Sequence, residues 1–168
     1  TRADMYSGEA RWEEIRDLKE AVGIPVIGNG DIQSGRDAAR MRDQTRCDGI
    51  MVARGSHGDP WIFRQARAAL EGEEIPADPD AAERFRICVE HAEKAMAYGG
   101  DPERAVREFR KHMGWYTKGL PGGKELRQEL FAVTSLEQVR DLLSDYLERY
   151  STPGEGGWDP RPAEAVLS

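Results

Sequence analysis

Cysteine and histidine are scarce in this chain of 168 residues. The two cysteines, Cys47 and Cys88, stand far apart and form no CxxC pair. That argues against a disulfide framework and against a structural zinc site. Both read as small buried apolar residues, in keeping with a reducing cytoplasm. His57, His91 and His112 are scattered and show no metal-ligand spacing. Long apolar runs are missing too. Charged residues make up 33% of the chain, and no segment approaches the length of about 20 apolar residues that spans a bilayer. The chain opens on Thr1-Arg2-Ala3-Asp4, with neither an initiator Met nor a signal-peptide pattern, so a fragment is the expectation. The formal net charge of −7 argues, taken alone, against a nucleic-acid partner. The charge is uneven, however. From Arg104 to Arg127, seven Lys/Arg face two acids, Glu108 and Glu125, giving that segment +5. An acidic protein can still present a local basic face.

What is present is an alternation of helix and strand. Trp12, Ile15, Leu18 and Val22 share one helical face over residues 9–22, and Gly23 ends that helix. The run from Ile24 to Gly28 is wholly apolar and suits a strand buried on both faces of a parallel sheet. Ser34-Gly35-Arg36-Asp37 is a capping-box-like start for a helix to about Thr45. Asp48 to Ala53 is the next strand, and Asp59-Pro60 caps a third helix that should stop near Gly72. This is the βαβ rhythm of a parallel sheet, and two strands alone make no stable sheet. More strands are therefore expected from sequence not in this chain.

After Ala53 no strand pattern returns. Residues 73–77 read as a linker. Asp78-Pro79 and Asp101-Pro102 cap two helices, a Gly-Leu-Pro-Gly-Gly turn spans 119–123, and a short helix runs from Lys124 to Phe131. Ser135-Leu136-Glu137-Gln138 is a capping box for a last helix. Residues 78–150 thus read as a separate helical bundle. Residues 151–168, rich in Pro, Gly and Glu, read as a disordered tail.

Two strand ends carry polar motifs: Gly28-Asn29-Gly30-Asp31 after the first strand, and Ala53-Arg54-Gly55 after the second. In an α/β barrel, ligands sit at the C-terminal strand ends, and phosphates favour the loops after the last two strands. Gly28 and Gly30 would let backbone N–H groups approach an anion closely. Arg54 could pair with phosphate bidentately, and Asn29 and Asp31 could bond a flavin or a sugar. Alternatively these are ordinary turn residues. A Rossmann site is disfavoured, since no G-x-G-x-x-G is present.

TRADMYSGEARW, IPVIGNGDI, CDGIMVARGSHGDPWIF and RKHMGWYTKGLPGGKELR, in that order, resemble successive segments of bacterial tRNA-dihydrouridine synthases, most like the B-type subgroup, over about residues 1–147. The resemblance implies the last strands and helices of a TIM-type (β/α)8 barrel over residues 1–72, followed by an all-α tRNA-binding domain over 78–150. It implies FMN as cofactor, NADPH as reductant, tRNA as partner, a cytoplasmic location, and a monomer in the complete enzyme. It places Asn29, Gly30 and Asp31 along the ribityl–phosphate region of FMN, and Ala53 and Arg54 at the phosphate. Family members usually carry Gly where this chain has Ala53, which is tolerable if φ there stays negative. Thr1-Arg2 matches the tail of a family segment whose flavin-contacting His precedes residue 1. The family's proton-donating cysteine also lies upstream, so this chain alone should be inactive. Neither Cys47, at a strand's entry, nor Cys88, on the apolar side of a helix, can replace it.

A uridine inside folded tRNA must be turned out of its stack before it can be reduced, which asks for a second gripping surface. Arg107, Arg110, Lys111 and Lys118 share one broad helical face, and with Lys124 and Arg127 they are the candidate phosphate contacts. The alternative is a solvated helix face. Trp115 and Tyr116 either pack in the core or stack on RNA. His112 reads as structural or interdomain, and His57 as loop or a neighbour of the flavin phosphate. Two other functions stay open: a different phosphate- or flavin-binding barrel enzyme, and a non-catalytic RNA-binding helical module.

Overall fold

A computed structural model of the chain describes residues 8–150. The readings made for Thr1-Arg2 and for the 151–168 tail lie outside the described residues. The chain divides into two compact units, Thr1–Ala77 and Asp78–Ser168.

The first unit runs α1 (Trp12–Ala21), β1 (Ile27–Asn29), α2 (Gly35–Thr45), β2 (Gly49–Met51), a 3-10 turn (Arg54–Ser56) and α3 (Ile62–Glu71). The strands are parallel, with Ile27 opposite Gly49 and Asn29 opposite Met51. Local signals set most of the boundaries. The Ser34 hydroxyl accepts the Asp37 N–H at 3.2 Å and donates to the Asp37 carboxylate at 2.8 Å, closing the first turn of α2. Gly72, at φ +74°, ends α3 in the left-handed conformation. α3 itself begins two residues later than the Asp59-Pro60 pair suggests, with Trp61 as N-cap and no side-chain cap.

The core of this unit is Val26, Ile32, Ala38, Met41, Cys47 and Ala66, with Trp12, Ile15 and Val22 from α1, and Ile50 and Val52 from around β2, packed against it. It lies on one side of the sheet only. Ile24 (69% exposed), Ile27 (60%) and Met51 (53%) face away from it. Among the described residues β1 is therefore covered on one face only, where burial on both faces was expected together with further strands from outside this chain. Side chains alternate across a strand, and helices cover one face of this sheet while nothing among the described residues covers the other. One further tie holds β1 and β2 to α1. The Asp48 carboxylate accepts the Val26 N–H at 2.7 Å and the Lys19 ammonium at 2.8 Å.

Among the described residues the second unit is four helices: α4 (Ala81–Gly99), α5 (Pro102–Tyr116), α6 (Gly123–Leu130) and α7 (Leu136–Tyr150). α4 packs on α5 and α7, and α6 bridges α5 and α7. Asp80 caps α4 by accepting the Glu83 N–H at 2.8 Å, so the cap sits two residues beyond Asp78. Asp101 caps α5 with Pro102 in the first turn, and Ser135 and Gln138 close the capping box of α7. Buried Phe85, Val106, Phe109, Met113, Leu130, Val139 and Leu143 are among its core residues. No helix among the described residues is long and apolar enough to cross a membrane.

Candidate functional site

In the first unit the two polar strand ends meet. They line one open cleft of about 680 Å³, with Asn29, Gly30 and Asp31 on one wall and Ala53, Arg54 and Gly55 beside them. The segment from Gly8 to Arg11 supplies a further wall. Parallel pairing brings the strand ends together, and the Asn29 amide locks them by donating to the Met51 carbonyl at 2.9 Å.

The Gly30–Asp31 corner is held from the first residue of α1 and the segment just before it. The Trp12 indole N–H donates to the Gly30 carbonyl at 3.1 Å. The Ala10 N–H donates to Asp31 Oδ2 at 2.6 Å. The other Asp31 oxygen lies 3.9 Å from the Arg54 guanidinium, a loose ion pair across the cleft. Arg40 sits over the Trp12 ring, 5.2 Å from its centroid. Asp31 adopts φ +52°, a conformation that aspartate tolerates better than most side chains. The motif reading missed Ala10 and Trp12, because their role comes from contacts across some twenty residues of sequence.

The glycines work differently from expectation. A Cβ on Gly28 would lie 2.7 Å from Met41 Sδ and 2.9 Å from Cys47 Sγ. One on Gly30 would lie 2.4 Å from Ala10 Cβ, and one on Gly55 would lie 2.1 Å from the Ile32 carbonyl oxygen. All three are explained by close packing of the chain on itself. Ala53 has φ −111°, so its methyl is accommodated. His57 is exposed in the turn after Ser56.

Neither cysteine is placed for proton transfer. Cys47 is buried in the first unit's core, and Cys88 is buried in α4. Burial pushes the Cys88 thiol up to about 12, which keeps it protonated and unreactive. Among the described residues, no group of three or more His, Cys, Asp or Glu could hold a metal.

In the second unit Arg107, Lys111, Lys118 and Lys124 are exposed, while Arg110 and Arg127 are half-buried. The structure gives Arg110 a different task. Its guanidinium donates twice to the Val133 carbonyl, at 3.2 and 2.5 Å, and so ties α5 to the loop before α7. The aromatic residues of α5 pack internally. Tyr116 is buried, with its hydroxyl 3.3 Å from His91 Nδ1. His112 stacks on Phe109 at 5.1 Å and meets Trp115 edge-on at 4.9 Å. Burial, then the Lys94 charge, pulls the His91 imidazole below its ordinary value and favours the neutral ring.

Parallel strands with helices packed on one face, and polar motifs converging at their C-terminal ends, define a piece of an α/β protein, a class whose ligands sit at the strand ends. The family model described as dihydrouridine synthase matches residues 1–151. The chain belongs to the dihydrouridine synthase family. It is 45% identical over 151 residues to the tRNA-dihydrouridine synthase B of Pseudomonas putida, covering 89% of this chain and 44% of that protein. It is 41% identical over 145 residues to a probable tRNA-dihydrouridine synthase of Mycobacterium leprae, covering 86% of this chain and 38% of that protein. The chain thus spans about two-fifths of the length of these curated relatives.

Proposed function

We propose that this chain is the carboxyl-terminal part of an FMN-dependent tRNA-dihydrouridine synthase, with NADPH as reductant and tRNA as substrate. The observation that carries the proposal is the convergence of Asn29–Asp31 and Ala53–Arg54 on one cleft at adjacent parallel strand ends. The bare apolar face of the sheet, with Ile27 and Met51 exposed, supports a place for these strands in a larger barrel whose other strands cover it. The complete enzyme is then cytoplasmic and monomeric, and its proton donor comes from sequence outside this chain.

The residues fit the phosphate and ribityl end of FMN by their chemistry. Arg54 is 60% exposed at its side chain and lies 3.9 Å from the Asp31 carboxylate. A phosphate can therefore draw its guanidinium into a bidentate, charge-assisted pair. Asp31 is an acceptor suited to sugar-like hydroxyls, and its carboxylate keeps the phosphate towards Arg54. Bound flavin would supply the hydride for reduction of the uridine C5–C6 bond. The groups of this chain bind and orient. Asn29 fixes the spacing of the strand ends, and the hold of Ala10 and Trp12 on Gly30 and Asp31 keeps the cleft wall in place.

Arg107, Lys111, Lys118, Lys124 and Arg127 are the proposed phosphate contacts for tRNA, and Arg110 supports them structurally. The test of the flavin assignment is Arg54→Ala in the enzyme at the full length of its relatives. Losing a charge-assisted pair should raise the FMN dissociation constant about tenfold or more. Unchanged flavin retention removes Arg54 from the phosphate site.

A further inference from the structure

Helical spacing sets several cations of α5 and α6 on faces that meet at a single ring. On α5, Arg107, Lys111, Gly114 and Lys118 follow at intervals of four, three and four, so they share one narrow face. Lys118 stands just past the end of the helix, in the turn after the Thr117 C-cap. On α6, Lys124, Arg127 and Phe131 follow at three and four, and they too share one face. The acids of α6, Glu125 and Glu129, line a small cavity against α7 instead.

The two faces meet at Gly114. A Cβ on Gly114 would lie 3.3 Å from Phe131 Cε1 and Cζ and 3.5 Å from Arg127 Cδ. The absent side chain lets the Phe131 ring and the Arg127 stem lie against α5 between Lys111 and Lys118. Phe131 nevertheless remains 47% exposed. Arg127 Nε is buried with no hydrogen-bond partner. A large ring is thus fixed at its edge by a glycine contact and left open to solvent, beside the Arg127 stem and on a helix face that carries Arg107 and Lys111. The aromatic residues of α5 cannot offer this surface, since they are packed with His91 and Phe109.

Cations beside an apolar patch select a partner that combines negative charge with flat apolar surface. Single-stranded nucleic acid has both: phosphates for the cations and an unstacked base for the ring. We infer that Phe131, seated on Gly114, is a stacking platform for one unpaired base of an RNA whose flanking phosphates are held by Arg107, Lys111 and Lys118. The inference rests on the RNA-binding reading of this unit and adds to it a contact that is aromatic rather than ionic.

The test uses the whole chain and a single-stranded RNA of about 12 nucleotides carrying 2-aminopurine at an internal position, with affinity measured across a salt series. Phe131→Leu keeps apolar packing against Gly114 but removes the flat ring. It should lose about tenfold in affinity, abolish the quenching of 2-aminopurine, and leave the salt slope as it was. Phe131→Trp should retain both affinity and quenching. Arg107→Ala with Lys111→Ala should flatten the salt slope by about 1.5. If the double variant flattens the slope while Phe131→Leu binds and quenches like the parent, the platform is refuted and the RNA surface stands. If neither changes binding, the RNA reading of this face falls and the platform falls with it. Circular dichroism of each variant confirms that the helices are intact.

Discussion

Gly30 offers the sharpest test of how the cleft wall is held. Its φ is +132°, and a Cβ there would lie 2.4 Å from Ala10 Cβ. Carbon atoms in good contact stand about 3.5 to 4 Å apart. Gly30→Ala therefore forces the Ala10–Trp12 segment to lift or the backbone to turn back. Lifting breaks the Ala10 N–H bond to Asp31 (2.6 Å) and the Trp12 indole bond to the Gly30 carbonyl (3.1 Å). Each such bond contributes about 1 kcal/mol net, and a positive φ with a side chain costs about 1–2 kcal/mol. Partial exposure of both bonds trims the sum, so a local loss of about 2 kcal/mol is expected, roughly a 30-fold shift in the opening equilibrium. Gly23→Ala is the matched control. Nothing lies within 4 Å of a Cβ at Gly23, so the change there should stay within about 0.5 kcal/mol. Hydrogen–deuterium exchange of peptides covering residues 8–35 reads both. Equal exchange in the two variants would refute the account of the wall.

Two further outcomes follow from charged groups outside the cleft. The hydrogen bond from Lys19, then that from the Val26 N–H, holds the Asp48 carboxyl below its ordinary value of 3.8. A depressed carboxylate contributes stability that is present above the unfolded value and lost as pH falls through the lower folded value. Denaturation of the parent chain and of Asp48→Asn should therefore differ above pH 3.8 and converge in stronger acid; curves that stay equally far apart at all pH values would remove Asp48 as the cause. Arg110→Ala should destabilise the second unit by about 1–2 kcal/mol, since a half-buried Val133 carbonyl loses a charged donor, yet leave the salt slope of RNA binding unchanged. A flatter slope would return Arg110 to the phosphate contacts.

What was legible in the sequence was largely what short range decides. Ser34, Asp101 and Ser135 declared their helices because a cap depends on the next two or three residues. Gly72 declared an end for the same reason. The strands were located but lengthened, and among the described residues only one of their faces is covered. An apolar run looks the same whether one face or both are buried, and only the neighbours decide. The task of Arg110 was equally hidden. Helical spacing placed it near Lys111 and Lys118 but could not show the Val133 carbonyl, 23 residues away, within its reach. Phe131 left a signal that went unused: its distances of four and seven from Arg127 and Lys124 put the ring on one face with these cations.

At the strand-end motif the glycines and the arginine carry different weight for the ligand. Glycines beside a candidate phosphate site suggest a backbone opened to an anion. Here Gly28 clears room for Met41 and Cys47, Gly30 for Ala10, and Gly55 for the Ile32 carbonyl. Such glycines would be needed whether or not a phosphate ever bound, so they carry little weight for the ligand. The weight shifts to Arg54. Its guanidinium is mostly exposed and lines the polar cleft at the two strand ends, 3.9 Å from Asp31. Arg54→Ala should accordingly affect flavin retention more than folding. Gly30→Ala should do the reverse when measured without flavin. The pair of variants separates what builds the wall from what holds the ligand.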